Sequence, residues 1–234
     1  MDYYSAHCRD PGTCVLLAEK LRAGETRVVL PGLFRSVRET QAVVRAVMLD
    51  HPELFWVNYY RYSVIDTLLG QYLMLGTFFS PAEQEELRCQ AEAWRGRVLA
   101  QLPAAVDEER LLRLLADYLA RQVEYRESGP AFSHTIVGVF QAGRHAAVCE
   151  GIAKGMKYLC DGAGLPCLVV AGTVRGQAHA WNIVRIPWGY RHLDVTCQLN
   201  AARNLGNITG KKLFYQDSEL TDRVWDHGKL PHCN

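Results

Sequence analysis

The sequence predicts an α+β fold: a helix that opens on a cysteine, packed on an antiparallel sheet, with an N-terminal extension of helices and strands. Three observations predict it. Val148, Ile152, Met156, Leu159 and Ala163 recur at three- to four-residue steps, which is one face of an α-helix. Three apolar or β-branched runs follow it with only short turns between them. The N-terminal third alternates short helical and extended stretches, each with its own start and stop signals. At 234 residues and 49% apolar, the chain can bury a core as one domain or as a domain with an extension. The expected division is an N-terminal α/β extension over 1–105, packing on a core over 106–234.

In chain order, Thr13 to Arg22 reads as a short helix ended by Gly24, and Thr26 to Leu30 as a strand before Pro31-Gly32. Ser36 and Glu39 form a capping box that opens a helix to about Leu49, stopped at Asp50-His51-Pro52. Phe55 to Tyr62 reads as an aromatic strand and Leu68 to Phe79 as another, interrupted by Gly70 and Gly76. Ser80 and Glu83 form a second capping box with Pro81 at the first helical position, and this helix runs to about Leu102. Asp107 begins a further helix, with Leu111, Leu112, Leu115, Leu119 and Val123 on one face and Glu108, Arg110, Arg113 and Arg121 on a solvated one. Glu124 to Ala147 shows little pattern; loops of that length are functional or mobile. Ser133, His134, Gln141 and His145 within it are candidates for substrate contact or for an oxyanion donor, or are ordinary loop residues.

The periodic helix after Val148 stops at Gly162, Gly164 and Pro166, so Cys149 lies in its first turn. Free backbone N–H groups and the positive end of the helix dipole there favour a thiolate, the nucleophilic form. The strands that follow are Cys167 to Val174, Ala178 to Ile186 and Tyr190 to Cys197. A short turn near Pro187 pairs the last two as a hairpin whose opposed residue numbers add to about 373 or 375. His179 and Asp194 are then opposite or one pair diagonal, on the same face. A cysteine at a helix start beside such a pair is a nucleophile, base and orienter. His192 alternates onto the same face and is the competing base.

AVCEGIAKGMKYL, HAWNIV and HLDVT, in this order and spacing, resemble the transglutaminase-like superfamily in its bacterial branch. The likeness covers about Leu111 to Asn200, and more weakly HPELFWV upstream and DSELTDRVWDH downstream. It implies a papain-like core, with Cys149 as nucleophile, His179 as base and Asp194 orienting it. Only His179, not His192, lies in the His-Ala-Trp-Asn motif. Cys197 stands where the family commonly has Trp, and no Trp stands shortly before Cys149 to match the transition-state-stabilising Trp of animal transglutaminases.

A net charge of +1, from 26 basic and 25 acidic residues, gives no reason to expect nucleic acid or an anionic membrane as partner. No apolar run reaches the roughly 18 residues of a membrane span. The start, MDYYSAHCRD, lacks the basic and apolar regions of a secretion signal; the default expectation is a cytoplasmic protein, or an exported one if the chain is a trimmed form. Eight cysteines at 8, 14, 89, 149, 160, 167, 197 and 233, with no C-x-x-C, do not read as a disulfide scaffold. Cys160, Cys167, His192 and Cys197 lack zinc-ligand spacing, so no metal and no cofactor is expected. Asn207-Ile208-Thr209 matches a glycosylation sequon. Leu213 to Trp225 is expected to pack over the core.

The function these features imply is thiol-dependent acyl transfer at amide bonds of a peptide or protein, with hydrolysis (a cysteine peptidase or amidase) preferred. A protein-glutamine gamma-glutamyltransferase is the alternative if an amine replaces water as acceptor. A binding module that keeps the fold without turnover is the non-enzymatic alternative.

Overall fold

Caps and apolar stripes put the helices over 11–22, 37–50, 81–100, 108–122 and 149–162 about where the sequence expects them. The structure is a computed structural model that describes residues 2–31, 36–67, 70–199 and 212–234. The sequon at Asn207, the turn-rich stretch Asn204 to Asn207, Gly32 and Leu68 lie outside the described residues. The chain divides into two compact units, residues 1–85 and 86–234.

In the first unit, α1 (Tyr3–Ala6), α2 (Pro11–Arg22) and α3 (Val37–Asp50) accompany a three-stranded antiparallel sheet. The sheet has the order β1 (Arg27–Leu30), β3 (Gly70–Thr77), β2 (Val57–Thr67). Asp10 caps α2 through the N–H of Thr13. Ser36 and Glu39 close both hydrogen bonds of the capping box on α3. The aromatic strand starts at Val57 and runs on to Thr67, with a bulge between Asn58 and Tyr62 that the sequence pattern did not mark.

Ser80 and Glu83 exchange hydrogen bonds ahead of α4 (Pro81–Ala100). The sequence placed α4 wholly with the N-terminal part. From Glu86 on, it belongs to the second unit: Trp94 stacks on Tyr158 at 6.4 Å and Arg95 lies over the same ring. α5 (Glu108–Gln122) is capped by Asp107 and buries Leu112, Leu115, Ala116 and Leu119.

The second unit is built around α7 (Cys149–Gly162), which packs on β4 (Cys167–Val174) and β5 (Gln177–Ile186). The predicted apolar stripe is buried from Val148 to Leu159 and half-buried at Ala163, but every other residue from Gly151 to Cys160 is buried as well. Lys154 and Lys157 are carried inside on i,i+4 pairs with Glu150 and Asp161. A buried ammonium needs such a partner. Asn182 ties helix to sheet, donating to the carbonyls of Ala153 and Leu168.

The stretch expected to be patternless, 124–147, is ordered around α7. It contains a 3-10 turn at Ala131–His134, α6 (Val137–Phe140) and a bridge between Tyr125 and Ala147. Gly151 permits the approach: a Cβ there would lie 2.4 Å from the carbonyl oxygen of Ser133 and 2.7 Å from that of Thr135.

The sheet is antiparallel throughout, ordered β7 (Phe214–Tyr215), β6 (Gly189–Leu193), β5, β4, β8 (Arg223–Val224). β5 and β6 pair with Ile183 opposite His192 and Ile186 opposite Gly189, the odd register expected, at 375. The third strand was expected to reach Cys197; instead β6 ends at Leu193 and residues 195–199 are helical. The cause is Asp194, whose Oδ1 accepts the N–H of Cys197 as a helix N-cap does. No helix among the described residues is long and apolar enough to cross a membrane.

Candidate active site

Cys149 is the first residue of α7, and Val148 ahead of it offers no side-chain cap. The amides of that first turn are therefore free to meet a negative charge. Val148 N–H is held by the carbonyl of Ser133 at 3.2 Å. The close approach of Gly151 to the same turn holds the helix start that carries the thiol.

His179 lies on β5 with its side chain 13% exposed. Its Nε2 donates to Asp194 Oδ2 at 2.9 Å. The register explains the contact. Residue 181 is the formal partner of 194, so His179 and Asp194 are one pair diagonal on one face, and Asp194, just past the strand end, reaches back. The Cys149 thiol hydrogen-bonds the same imidazole. The structure thus brings together the three side chains that the sequence singled out.

His192, the competing base, is turned elsewhere. It is 1% exposed, its Nδ1 accepts the indole N–H of Trp181 at 2.9 Å, and its Nε2 donates to Asp217 Oδ1 at 2.8 Å. Trp181 also stacks on His179 at 5.9 Å, so the tryptophan of the His-Ala-Trp motif spaces the two histidines.

Burial alone would lower the His179 pKa, but hydrogen bonds to Asp194, Cys149 and Cys197 and the charge of Asp194 raise it from 6.5 to about 11. Burial pushes the Asp194 carboxyl up, and its bonds and charge contacts with His179 and Arg223 more than reverse this, to about 2. The imidazole is therefore charged at neutral pH beside an ionised carboxylate.

Three residues that the sequence did not assign to the site join this cluster. Arg223 Nη1 donates to Asp194 Oδ2 at 2.5 Å, and Cys197 Sγ lies 3.1 Å from the same oxygen. Tyr125 is close enough for Cys149 and His179 to act on its phenol, whose pKa is raised by burial first and by Cys149 next. The only signal for Arg223 was the weak downstream likeness; Tyr125 sat in a stretch without periodicity.

The loop candidates divert to other work. Ser133 is buried and supplies its carbonyl to α7. His134 bonds Glu150 at 3.0 Å, Gln141 bonds Gln90 at 2.7 Å, and His145 packs edge-on to Phe132.

Among the described residues, His179, Asp194 and Cys197, and separately His192, Asp217 and Cys233, each place three ligand-type atoms within 4.8 Å. Neither fits a metal well. An indole can only donate, so Trp181 leaves the proton of His192 on Nε2, facing Asp217, with no lone pair to give. In the first group the guanidinium of Arg223 already supplies the cation.

Residues 99–195 match the family described as Transglutaminase-like superfamily. Among solved structures, a TGase is 14% identical with a TM-score of 0.42, covering 80% of this chain and 52% of that one. The chain thus spans about half the length of that protein. A protein described as a candidate cysteine protease, from Cytophaga hutchinsonii, is 11% identical with a TM-score of 0.38, covering 71% of this chain and 70% of that one. No curated protein matches the chain. The matched segment, 99–195, is the one that carries Cys149, His179 and Asp194, and it is similar to the transglutaminase-like superfamily.

Proposed function

We propose that this protein is a cysteine enzyme that transfers acyl groups from amide bonds of a peptide or protein, with water as the acceptor. The observation that carries the reading is one imidazole held by Asp194 at 2.9 Å while it also hydrogen-bonds the thiol of Cys149 at a helix start. With Nε2 engaged by Asp194, Nδ1 is the nitrogen that holds the proton taken from the thiol, in keeping with an imidazole charged at neutral pH. The thiolate adds to the amide carbonyl, forming an S–C bond. The N–H of Cys149 faces the oxygen that becomes negative. The imidazolium passes its proton to the leaving amine as the C–N bond breaks. Water, deprotonated by the same imidazole, then cleaves the thioester, giving a carboxylate and the free thiol. Asp194 keeps the imidazole in one tautomer throughout. The lack of a Trp shortly before Cys149 supports hydrolysis over amine transfer.

Incubation with a peptide library and a free primary amine, read by mass spectrometry, tests this. Cleaved peptides, absent with Cys149→Ala, are the expected result. Glutamine-linked amine adducts would replace hydrolysis by glutamyl transfer. A set of peptides unchanged in mass but bound to the protein would favour a module without turnover.

A further inference from the structure

The second histidine and the C-terminal segment act together. Asp217 anchors that segment: its Oδ1 takes the N–H of His192, and its own N–H donates to the carbonyl of Cys233 at 2.8 Å. β7 pairs Phe214 with Leu193 and Tyr215 with His192. β8 then pairs Arg223 with Val174 and Val224 with Thr173 on the far edge of the sheet. The segment is a strap across the sheet, pinned at both edges, and the residue it delivers to the site is Arg223. That guanidinium is nearly buried, with its side chain 9% exposed. It lies over the ring of Trp181 at 5.2 Å, on which His179 also stacks. Nη1 donates to Asp194 Oδ2, the oxygen that holds His179, and Nη2 reaches Cys197 Sγ at 3.5 Å.

We propose that Arg223 is a positioning residue of the Cys149–His179–Asp194 site, fixing the carboxylate that orients the imidazole and offsetting its charge. The inference rests on the reading above. A carboxylate with one partner can rotate, whereas the planar fork of a guanidinium fixes its direction. Asp194 alone, in a buried place, holds the imidazole proton tightly. A positive charge on the same oxygen weakens that hold, so that His179 remains acidic enough to protonate a leaving amine. The titratable and charged groups facing His179 are Cys149 from α7, Tyr125 ahead of it, Asp194 and Cys197 after β6, and Arg223 from β8.

The test uses the whole chain with Arg223→Met and Arg223→Lys. Nitrogen NMR of the His179 ring follows its titration, and iodoacetamide labelling with peptide mapping follows Cys149. In the Met variant the His179 midpoint rises by about one pH unit, and Cys149 labelling at neutral pH slows severalfold. The Lys variant restores the midpoint, because the charge is back. It still labels slowly, because one ammonium cannot bridge Asp194 and Cys197. Folded variants with the parent midpoint and parent rate overturn the proposal. Should the Met variant fail to fold, parent-like labelling in the Lys variant does the same. A parent in which Cys149 is no faster than other exposed thiols overturns the functional reading and this inference with it. A fast parent with unmoved variants overturns this one alone.

Discussion

Replacing each hairpin histidine by alanine separates their roles, because the structure assigns them different costs. His192→Ala removes a 1% exposed ring and strips the acceptor from the Trp181 indole N–H, itself 1% exposed. An orphaned buried donor costs about 1–3 kcal/mol, and the space left behind adds about 1 kcal/mol or more. Asp217, 20% exposed, regains water and adds little. The total is about 3 kcal/mol, or a fall in melting temperature of roughly 6–12 °C for a unit of this size. His179→Ala leaves Asp194 with Arg223 and the N–H of Cys197, so it destabilises less, yet it removes the partner of the thiol. Thermal unfolding and iodoacetamide labelling of Cys149 are measured on both. The expected pattern is crossed: His192→Ala melts early but labels Cys149 at near the parent rate, while His179→Ala keeps most of its melting temperature and labels slowly. A folded His192→Ala protein with the parent melting temperature, or one that slows Cys149 as much as His179→Ala, refutes the reasoning.

Three further outcomes follow from the same geometry. Cys149 reacts first with iodoacetamide, while Cys14, Cys160 and Cys233, whose thiols burial pushes up, react last; peptide mapping over time reads the order. Gly151→Ala forces a Cβ toward two backbone oxygens, costs about 1–3 kcal/mol and slows Cys149 labelling through displacement of the helix start; unchanged melting and labelling would show that the turn at 131–134 yields freely. The His179–Asp194 pair makes stability depend on pH at both ends. The folded pKa of Asp194 lies below 3.8, so its contribution is complete above that value and is lost as pH falls toward about 2. That of His179 lies above 6.5, so its contribution is complete below that value and is lost as pH rises toward about 11. Both record one interaction, so stability from the pair is greatest between the two unperturbed values. Melting temperature against pH should flatten on both limbs in Asp194→Asn, and equal slopes in parent and variant would exclude the pair as their source.

By itself the sequence determined what depends on short range: the capped helices, the strand runs after Pro166, and Cys149 at a helix start, because caps, stops and apolar periods act within a few residues. It also determined that His179 and Asp194 share a face, since a tight turn fixes the register and the parity of side chains follows from it. It could not separate the uses of His179 and His192 by parity alone. That was decided by which carboxylate each meets, and Asp217 arrives from a 3-10 turn 25 residues further on. The cap that ends β6 at Leu193 escaped the pattern because Asp194 serves a helical turn and an imidazole at once. The need for glycine at 151 follows from the turn at 131–135 packing on α7, a contact no local period encodes. Arg223 is the clearest case. Its place beside Asp194 exists only once β8 pairs with β4, two segments some fifty residues apart, and that pairing is fixed by the tertiary packing of the strap rather than by any property of the residues around Arg223.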